Sequence, residues 1–371
     1  MDVWQFKEFR WWWSIQSKLL LLVVLAQNLP TRRASDVCEA GGNCKEVRYL
    51  FCSFNYRNGL GDQRLLWFQT ALKLSKALGR TLVLPPFWVP DVDGDSYQEG
   101  NAHFEPFENL YDPAAFTSYT DWIPYRRFRE IMQDRLDLIY ISPREAKDRH
   151  GLDCDAGQAI RLPGSMTIFG DEWQYNKIKC LETRDMMAGF LRSTREVLAL
   201  NTRNNQELPG YRVEVLPVGE CSKQWPFEMA FNATLVDAAV TFMNAELGRN
   251  GSFIAIHWRH GTSMHKESSS LVQDVVAISA QQNINPERVF LSTNCEAREE
   301  VDDLQNQLGM EIVQFKDPSF APWQRALIDM IIASKALVFI PSSYSSSFAK
   351  TILFHRVKEK QKIQDGVSMH C

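Results

Sequence analysis

The chain has no Cys-x-x-Cys pair although it carries eight cysteines, and that absence argues against a zinc site built on the usual ligand spacing. It has no Gly-x-Ser-x-Gly pentad either, which removes the nucleophile elbow of a serine hydrolase, and no Ser-His-Asp arrangement can be assembled from residue spacing. Neither sign of charge dominates: Lys+Arg 41 against Asp+Glu 45 leaves a formal charge of −4, too balanced for a protein whose main partner is a nucleic acid backbone. Any anionic ligand must therefore be held by a local cluster of donors. Between Phe87 and about Pro217 nothing repeats at a fixed period and no low-complexity tract stands out, so nothing there points to a solenoid.

What is present describes a folded chain of about two domains. Its 371 residues are 45% hydrophobic and 23% charged, close to the average for soluble globular proteins, and length alone suggests domains of roughly 150 residues. Lys7, Arg10 and Lys18 precede the apolar run of residues 19–26, with polar sequence from Gln27. Eight apolar residues fall short of the ~20 that cross a bilayer as a helix, and Val24 and Ala26 have small-residue spacing for cleavage. Residues 1–26 are thus expected to be a signal peptide, or a signal anchor with Trp11, Trp12 and Trp13 at the interface. The scattered cysteines (38, 44, 52, 154, 180, 221, 295 and 371) and the sequons Asn232-Ala-Thr234 and Asn250-Gly-Ser252 agree with an oxidising, secretory compartment.

After the leader, residues 49–54 read as a buried strand, followed by the loop Asn58-Gly-Leu-Gly-Asp62. A helix comes next, with Trp67, Ala71, Leu74 and Leu78 at helical spacing and Gly79 as its cap, and then the strand Thr81-Leu-Val-Leu84 stopped by Pro85 and Pro86. This is a βαβ unit, whose ligands lie at the carboxyl ends of the strands. Residues 87–217 give only short signals and are expected to be excursions of an N-terminal domain spanning 27–217. A second α/β domain is expected over 218–371: a helix at 227–247, strands at 253–257, 289–292, 312–315 and 336–340, and helices at 296–308 and 323–334.

Three stretches can carry chemistry. In His257-Trp258-Arg259 an arginine leaves the carboxyl end of a strand, where its planar fork can grip a phosphate; the bland alternatives are a loop ion pair for Arg259 and a backbone-bonded ring for His257. In Pro341-Ser-Ser-Tyr-Ser-Ser-Ser-Phe348 hydroxyls and free amides open a helix, which makes an anion site, although serine is also an ordinary cap. In Asn58-Gly59-Leu-Gly61-Asp62 the glycines admit a ligand to the backbone, without the dinucleotide fingerprint or the lysine of a nucleotide-triphosphate loop. Asp62 is a helix cap, a hydrogen-bonding ligand or a base. Asp91-Val-Asp93-Gly-Asp95 lacks the glycine placement of an EF-hand and has Ala102 where the closing glutamate belongs, so a solvated acidic loop is expected there and no metal.

Taken in order, Asn58-Gly-Leu-Gly-Asp-Gln63, Arg80-Thr-Leu-Val-Leu-Pro-Pro86, His257-Trp-Arg259 and Ser346-Ser-Phe348 make the chain resemble the peptide O-fucosyltransferase family and its wider GDP-fucose-using relatives. The resemblance implies a GT-B-like α/β fold, two Rossmann-like domains facing a central cleft, with the nucleotide sugar mainly on the second. It further implies that Arg259 contacts the diphosphate, that Gly59, Gly61, His257, Ser346, Ser347 and Phe348 line the donor site, and that no metal or cofactor beyond GDP-fucose is needed. The expected reaction is inverting transfer of fucose to a Ser or Thr hydroxyl of a secretory-pathway protein, the acceptor being a folded cysteine-rich domain and the location the ER or Golgi lumen, with Asp62 as base. Departures from the family pattern, namely Gly61-Asp62 for Gly-Asn, no acidic residue in Gly261-Thr-Ser-Met-His265 and Ser292-Thr-Asn294 for Thr-Asp, leave open a glycan acceptor or a catalytically silent nucleotide-sugar-binding relative.

Overall fold

Alternating strand and helix segments whose strands are apolar along their whole length must form parallel sheets covered on both faces, and the chain does so twice. The computed structural model describes residues 36–38, 44–46, 48–53, 60, 68–91, 102–141, 147, 153, 159–180, 197–201, 229–248, 253–259, 266–282, 288–294, 297–343 and 346–358. The leader at 1–26, the loop with Gly59, Gly61 and Asp62, and the boundary expected at residue 217 lie outside the described residues. Among the described residues no helix is long and apolar enough to cross a membrane.

Two compact units share the described residues. One draws on Met1–Asn55, Leu66–Pro86 and Thr117–Arg212, the other on Tyr56–Leu65, Phe87–Phe116 and Val213–Cys371. Phe87–Phe116, expected to be an excursion of the N-terminal half, therefore packs with the C-terminal half. The reason is local pairing: the Asp112 amide donates to the Ala230 carbonyl at 2.9 Å, the Asn232 amide donates to that of Leu110 at 3.0 Å, and the Tyr111 ring lies 5.7 Å from Phe231.

The first unit holds seven strands in one sheet: β1 (Tyr49–Ser53), β2 (Thr81–Leu84), β3 (Trp122–Pro124), β4 (Arg135–Ile141), β5 (Ala159–Ile168), β6 (Asp171–Cys180) and β7 (Val197–Asn201). They lie in the order β3-β2-β1-β7-β4-β6-β5, parallel throughout except for β5 against β6. Helix α1 (Gln69–Leu78) joins β1 to β2 and stops at Gly79, whose left-handed φ of 58° favours a residue without a Cβ. Its buried face runs through Phe68, Ala71, Leu72 and Ser75. Arg80, which opens the Arg-Thr-Leu motif, is structural: it is buried, its Nη1 donates to the Tyr49 carbonyl at 3.1 Å, and its own carbonyl accepts from Ser75 Oγ at 2.5 Å. Phe51 of β1 sits 5.1–5.9 Å from the rings of Tyr125, Phe128, Phe169 and Trp173; Tyr125 and Phe128 belong to helix α2 (Tyr125–Met132). Cys52 is free and buried, with its thiol pKa pushed far up by burial. It is thus no member of the expected disulfide framework.

The second unit is built on β8 (Ile254–Trp258), β9 (Arg288–Thr293), β10 (Glu311–Val313) and β11 (Val338–Pro341), all parallel in the order β10-β9-β8-β11. The helices are α3 (Ala233–Phe242), α4 (Ser268–Gln282), α5 (Arg298–Leu308), α6 (Pro322–Lys335) and α7 (Ser347–Lys358). The first of them starts later than its apolar pattern suggests. Residues 229–232 are not helical, and Asn232 caps α3 by accepting from the Thr234 amide at 2.9 Å while its Nδ2 donates to the Glu108 carbonyl at 2.8 Å. Ile254, Ile256 and Trp258 of β8 pack with Leu271, Val275, Val289, Leu291, Leu304, Val338 and Ile340. Each large side chain buried this way contributes roughly 1.5–3 kcal/mol against about 0–1 for an exposed ion pair, so packing and not surface charge fixes where β8 ends.

Candidate active site

In an open parallel sheet, ligands bind beyond the carboxyl ends of the strands where the strand order reverses. From β8 the chain steps outward through β9 and β10 and then returns to the other side of β8 as β11, so the reversal lies between β8 and β11. The residues leaving these two strands are His257, Trp258 and Arg259 on one side and Ser342 onward on the other.

A reciprocal stitch joins the two ends. The Ser342 amide donates to the His257 carbonyl at 2.8 Å, and the Arg259 amide donates to Ser342 Oγ at 2.8 Å. From the opposite neighbour, Thr293 Oγ1 at the end of β9 donates to the Trp258 carbonyl at 2.7 Å. The backbone that carries Arg259 is thus held from both flanking strands. The Trp258 indole donates to the Lys266 carbonyl at 2.8 Å, which fastens the far end of the loop that follows.

Strand alternation separates His257 from its neighbours. Since Ile256 and Trp258 enter the core with α4 and α5, His257 projects to the opposite face, where its ring stacks on Phe348 at 4.7 Å and 14°. Only 5% of His257 is exposed. Burial, reinforced by the nearby positive charge of Arg259, lowers its pKa to about 3, so the ring is neutral at physiological pH. Its Nδ1 is buried and has no hydrogen-bond partner among the described residues, an exposed cost unless a ligand or water meets it.

Phe348 belongs to the first turn of α7. Ser346 is buried at the cap position, where its Oγ accepts from the Ala349 amide at 3.4 Å and its carbonyl accepts from the Lys350 amide at 3.0 Å. The Ser347 carbonyl accepts from Thr351 Oγ1 at 2.9 Å. First-turn amides and the positive end of the helix dipole favour an anion at this point. The structure places Arg259, His257, Ser346, Ser347 and Phe348 around the ends of β8 and β11 and the start of α7, while Gly59, Gly61 and Asp62 lie outside the described residues. Ser342 and Thr293 were missed. The signal for them was positional: each is at the end of a strand flanking β8.

The model of the GDP-fucose protein O-fucosyltransferase family matches residues 49–358. The chain belongs to that family. It is accordingly a member of a fucosyltransferase, and hence glycosyltransferase, family. Among solved structures it is similar to POFUT1 in complex with GDP, at 17% identity and a TM-score of 0.57 over 84% of this chain and 96% of that one. It is similar also to POFUT1 in complex with GDP-fucose, at 15% identity and a TM-score of 0.56 over 87% and 97%. A looser likeness is to the fucosyltransferase NodZ from Bradyrhizobium, at 17% identity and a TM-score of 0.44 over 83% and 93%. No curated protein matches the chain. The fold of this O-fucosyltransferase family member is thus the GT-B-like α/β class, with two Rossmann-like parallel sheets.

The acidic stretch weighed as a metal site contributes only Asp91 to the described residues, and Asp91 Oδ1 pairs with His103 Nδ1 at 2.5 Å. Among the described residues no group of three or more His, Cys, Asp or Glu side chains is arranged to hold a metal ion.

Proposed function

We propose that the protein is an inverting fucosyltransferase that moves fucose from GDP-fucose to a Ser or Thr hydroxyl of a protein in the lumen of the ER or Golgi. The observation that carries the reading is the stitched backbone of Arg259 at the strand reversal, beside the first turn of α7 and a neutral His257 whose Nδ1 has no partner among the described residues. In this reaction the bond from the anomeric carbon to the β-phosphate oxygen breaks and its electrons remain on GDP. Arg259 and the α7 amides meet that growing charge, and fixed donors of this kind are typically worth 10²–10³ in rate each. The acceptor oxygen attacks from the opposite face of the sugar, and its proton passes to the Asp62 carboxylate. A secretory location is supported by the residue 19–26 segment, the sequons and the disulfide-bonded state of Cys180.

The test is donor turnover and acceptor mass gain with a panel of GDP- and UDP-sugars. GDP-fucose alone is expected to be consumed, with a deoxyhexose gained by a folded cysteine-rich domain and not by a free oligosaccharide. Arg259→Ala is expected to lose about 10²–10³ in transfer, and Asp62→Asn to lose transfer while still binding GDP. Full transfer without Arg259 removes the donor assignment. Mass gain on an oligosaccharide instead moves the acceptor to glycans, and GDP binding without turnover on any acceptor identifies a silent relative.

A further inference from the structure

Helix α7 enters the site at one end and is fastened at the other. Arg356, eight residues beyond Phe348 and so about 12 Å down the helix, is only 1% exposed. Its Nη1 donates to the carbonyls of Ala336 and Ser334, the latter at 3.5 Å, and its Nη2 donates to that of Leu337 at 3.0 Å. Ser334 lies in the last turn of α6, and Ala336 and Leu337 lead from it into β11. A helix end leaves such carbonyls without intrahelical partners and carries the negative end of the dipole, so a guanidinium fits it both geometrically and electrostatically. Beside it, the His355 ring stacks on Phe231 at 4.8 Å and 29°.

The connectivity gives this clamp a reach beyond its own contacts. From Leu337, β11 runs for four residues to Ser342, whose hydroxyl and amide hold the backbone of residues 257–259. From Ser342 the chain turns into α7, whose first turn places Phe348 on His257. Ser342 at the end of β11 and Phe348 in the first turn of α7 thus both meet the end of β8, and Arg356 ties the other end of α7 to the residues that lead into β11. Burying a guanidinium is costly, and an apolar side chain would fill the same space more cheaply; what the charged fork adds is a fixed register between the foot of α7 and the foot of β11.

We propose that Arg356 is a positioning residue for the donor site: it sets the axial position of α7 against β11 and through it the Phe348 stack on His257 and the cap at Ser346. This rests on the reading of that site as the GDP-fucose site. The test uses the whole protein, GDP calorimetry and donor kinetics, with Arg356→Lys as the variant that keeps the charge and loses the fork. The expected result is a GDP Kd and a KM for GDP-fucose raised about tenfold, with kcat changed less than threefold and the far-ultraviolet circular dichroism unchanged. A second measurement needs no variant: GDP is expected to slow amide exchange of the wild type at Leu337 and residues 353–358 as well as at residues 346–350. Unchanged GDP affinity in Arg356→Lys, or protection confined to residues 346–350, overturns the clamp while leaving the donor site standing. A wild type that binds no GDP removes the donor reading and the clamp with it.

Discussion

Replacing His257 by phenylalanine should change how the protein responds to acid more than it changes the protein at neutral pH. In the folded state the imidazole has a pKa lowered from 6.5 to about 3, chiefly because it is buried and secondarily because Arg259 repels a second positive charge. In the unfolded chain it titrates normally. Above about pH 6.5 both states hold the neutral ring and the group is silent. As pH falls below that value the unfolded chain takes up a proton that the folded protein refuses, so stability is lost at about 1.4 kcal/mol per pH unit until the folded group itself titrates. At about pH 4.5 the penalty is of order 2–3 kcal/mol, a large share of the ~5–15 kcal/mol typical of a folded domain. Phenylalanine preserves a flat ring against Phe348 and has no proton to bind; any overpacking it introduces does not depend on pH and cancels in the comparison. Urea unfolding of wild type and His257→Phe at about pH 7.5 and 4.5 measures the effect. The stability of wild type relative to the variant should drop by about 2–3 kcal/mol between the two conditions. Parallel pH dependence, with the gap constant to within about 0.5 kcal/mol, would refute the claim that a buried neutral imidazole sits beneath the proposed donor site.

Two further outcomes test other parts of the fold. A Cβ at Gly164 would come within 2.7 Å of Tyr175 Oη and 2.9 Å of Cζ across the β5–β6 pair, so Gly164→Ala is expected to lower stability by about 1–3 kcal/mol; Tyr175→Phe in the same chain should recover part of that loss, and a neutral Gly164→Ala by thermal unfolding would count against the packing described. At the hairpin of Phe87–Pro90 with Ala102–Glu105, burial lowers the pKa of His103, but the hydrogen bonds its ring nitrogens donate to the carboxylates of Glu105 at 2.9 Å and Asp91 at 2.5 Å, with their charges, outweigh it and leave the pKa raised. The stabilisation from this group is full below about pH 6.5 and disappears as pH rises through the folded value. An NMR titration should place His103 above an ordinary histidine and Asp91→Asn should bring it down; a normal midpoint in the wild type would dissolve the cluster.

How far the sequence revealed the fold depended on whether local pattern and tertiary burial agreed. Strands β1, β2, β8, β9 and β11 were legible because strands of a parallel sheet are apolar on both faces, and β8 is buried at every position from Ile254 to Trp258. The long antiparallel pair β5 and β6 was not. Its turn places Phe169 and Gly170 at φ of 53° and 82°, the left-handed geometry that hairpins ordinarily signal by Asn-Gly or Asp-Gly. A phenylalanine in that conformation gives no turn signal, and it is held there because its ring is buried in the cluster around Phe51. The start of α3 was misplaced for a similar reason: Met229 and Phe231 continue the apolar pattern of the helix, yet they are buried as non-helical segments against Phe87–Phe116.

At the candidate site, residue type singled out some groups and topology supplied the rest. Arg259 and His257 were conspicuous because charged or titratable side chains at the end of an apolar strand are expensive to bury and so invite a functional reading. Ser342 and Thr293 were not, since hydroxyl residues at strand ends are common; their meaning appears only when β11 and β9 are seen to flank β8. The first sheet extends the argument. There the chain leaves β1 through β2 and β3 on one side and crosses to β7 and β4 on the other, so the strand order of that sheet reverses at β1 as that of the second sheet does at β8, while Gly59, Gly61 and Asp62 lie outside the described residues. Activity lost by Asp62→Asn with GDP binding intact, and by Arg259→Ala with GDP binding impaired, would assign Asp62 to the acceptor and Arg259 to the donor; loss of GDP binding in both would place the two motifs on a single ligand.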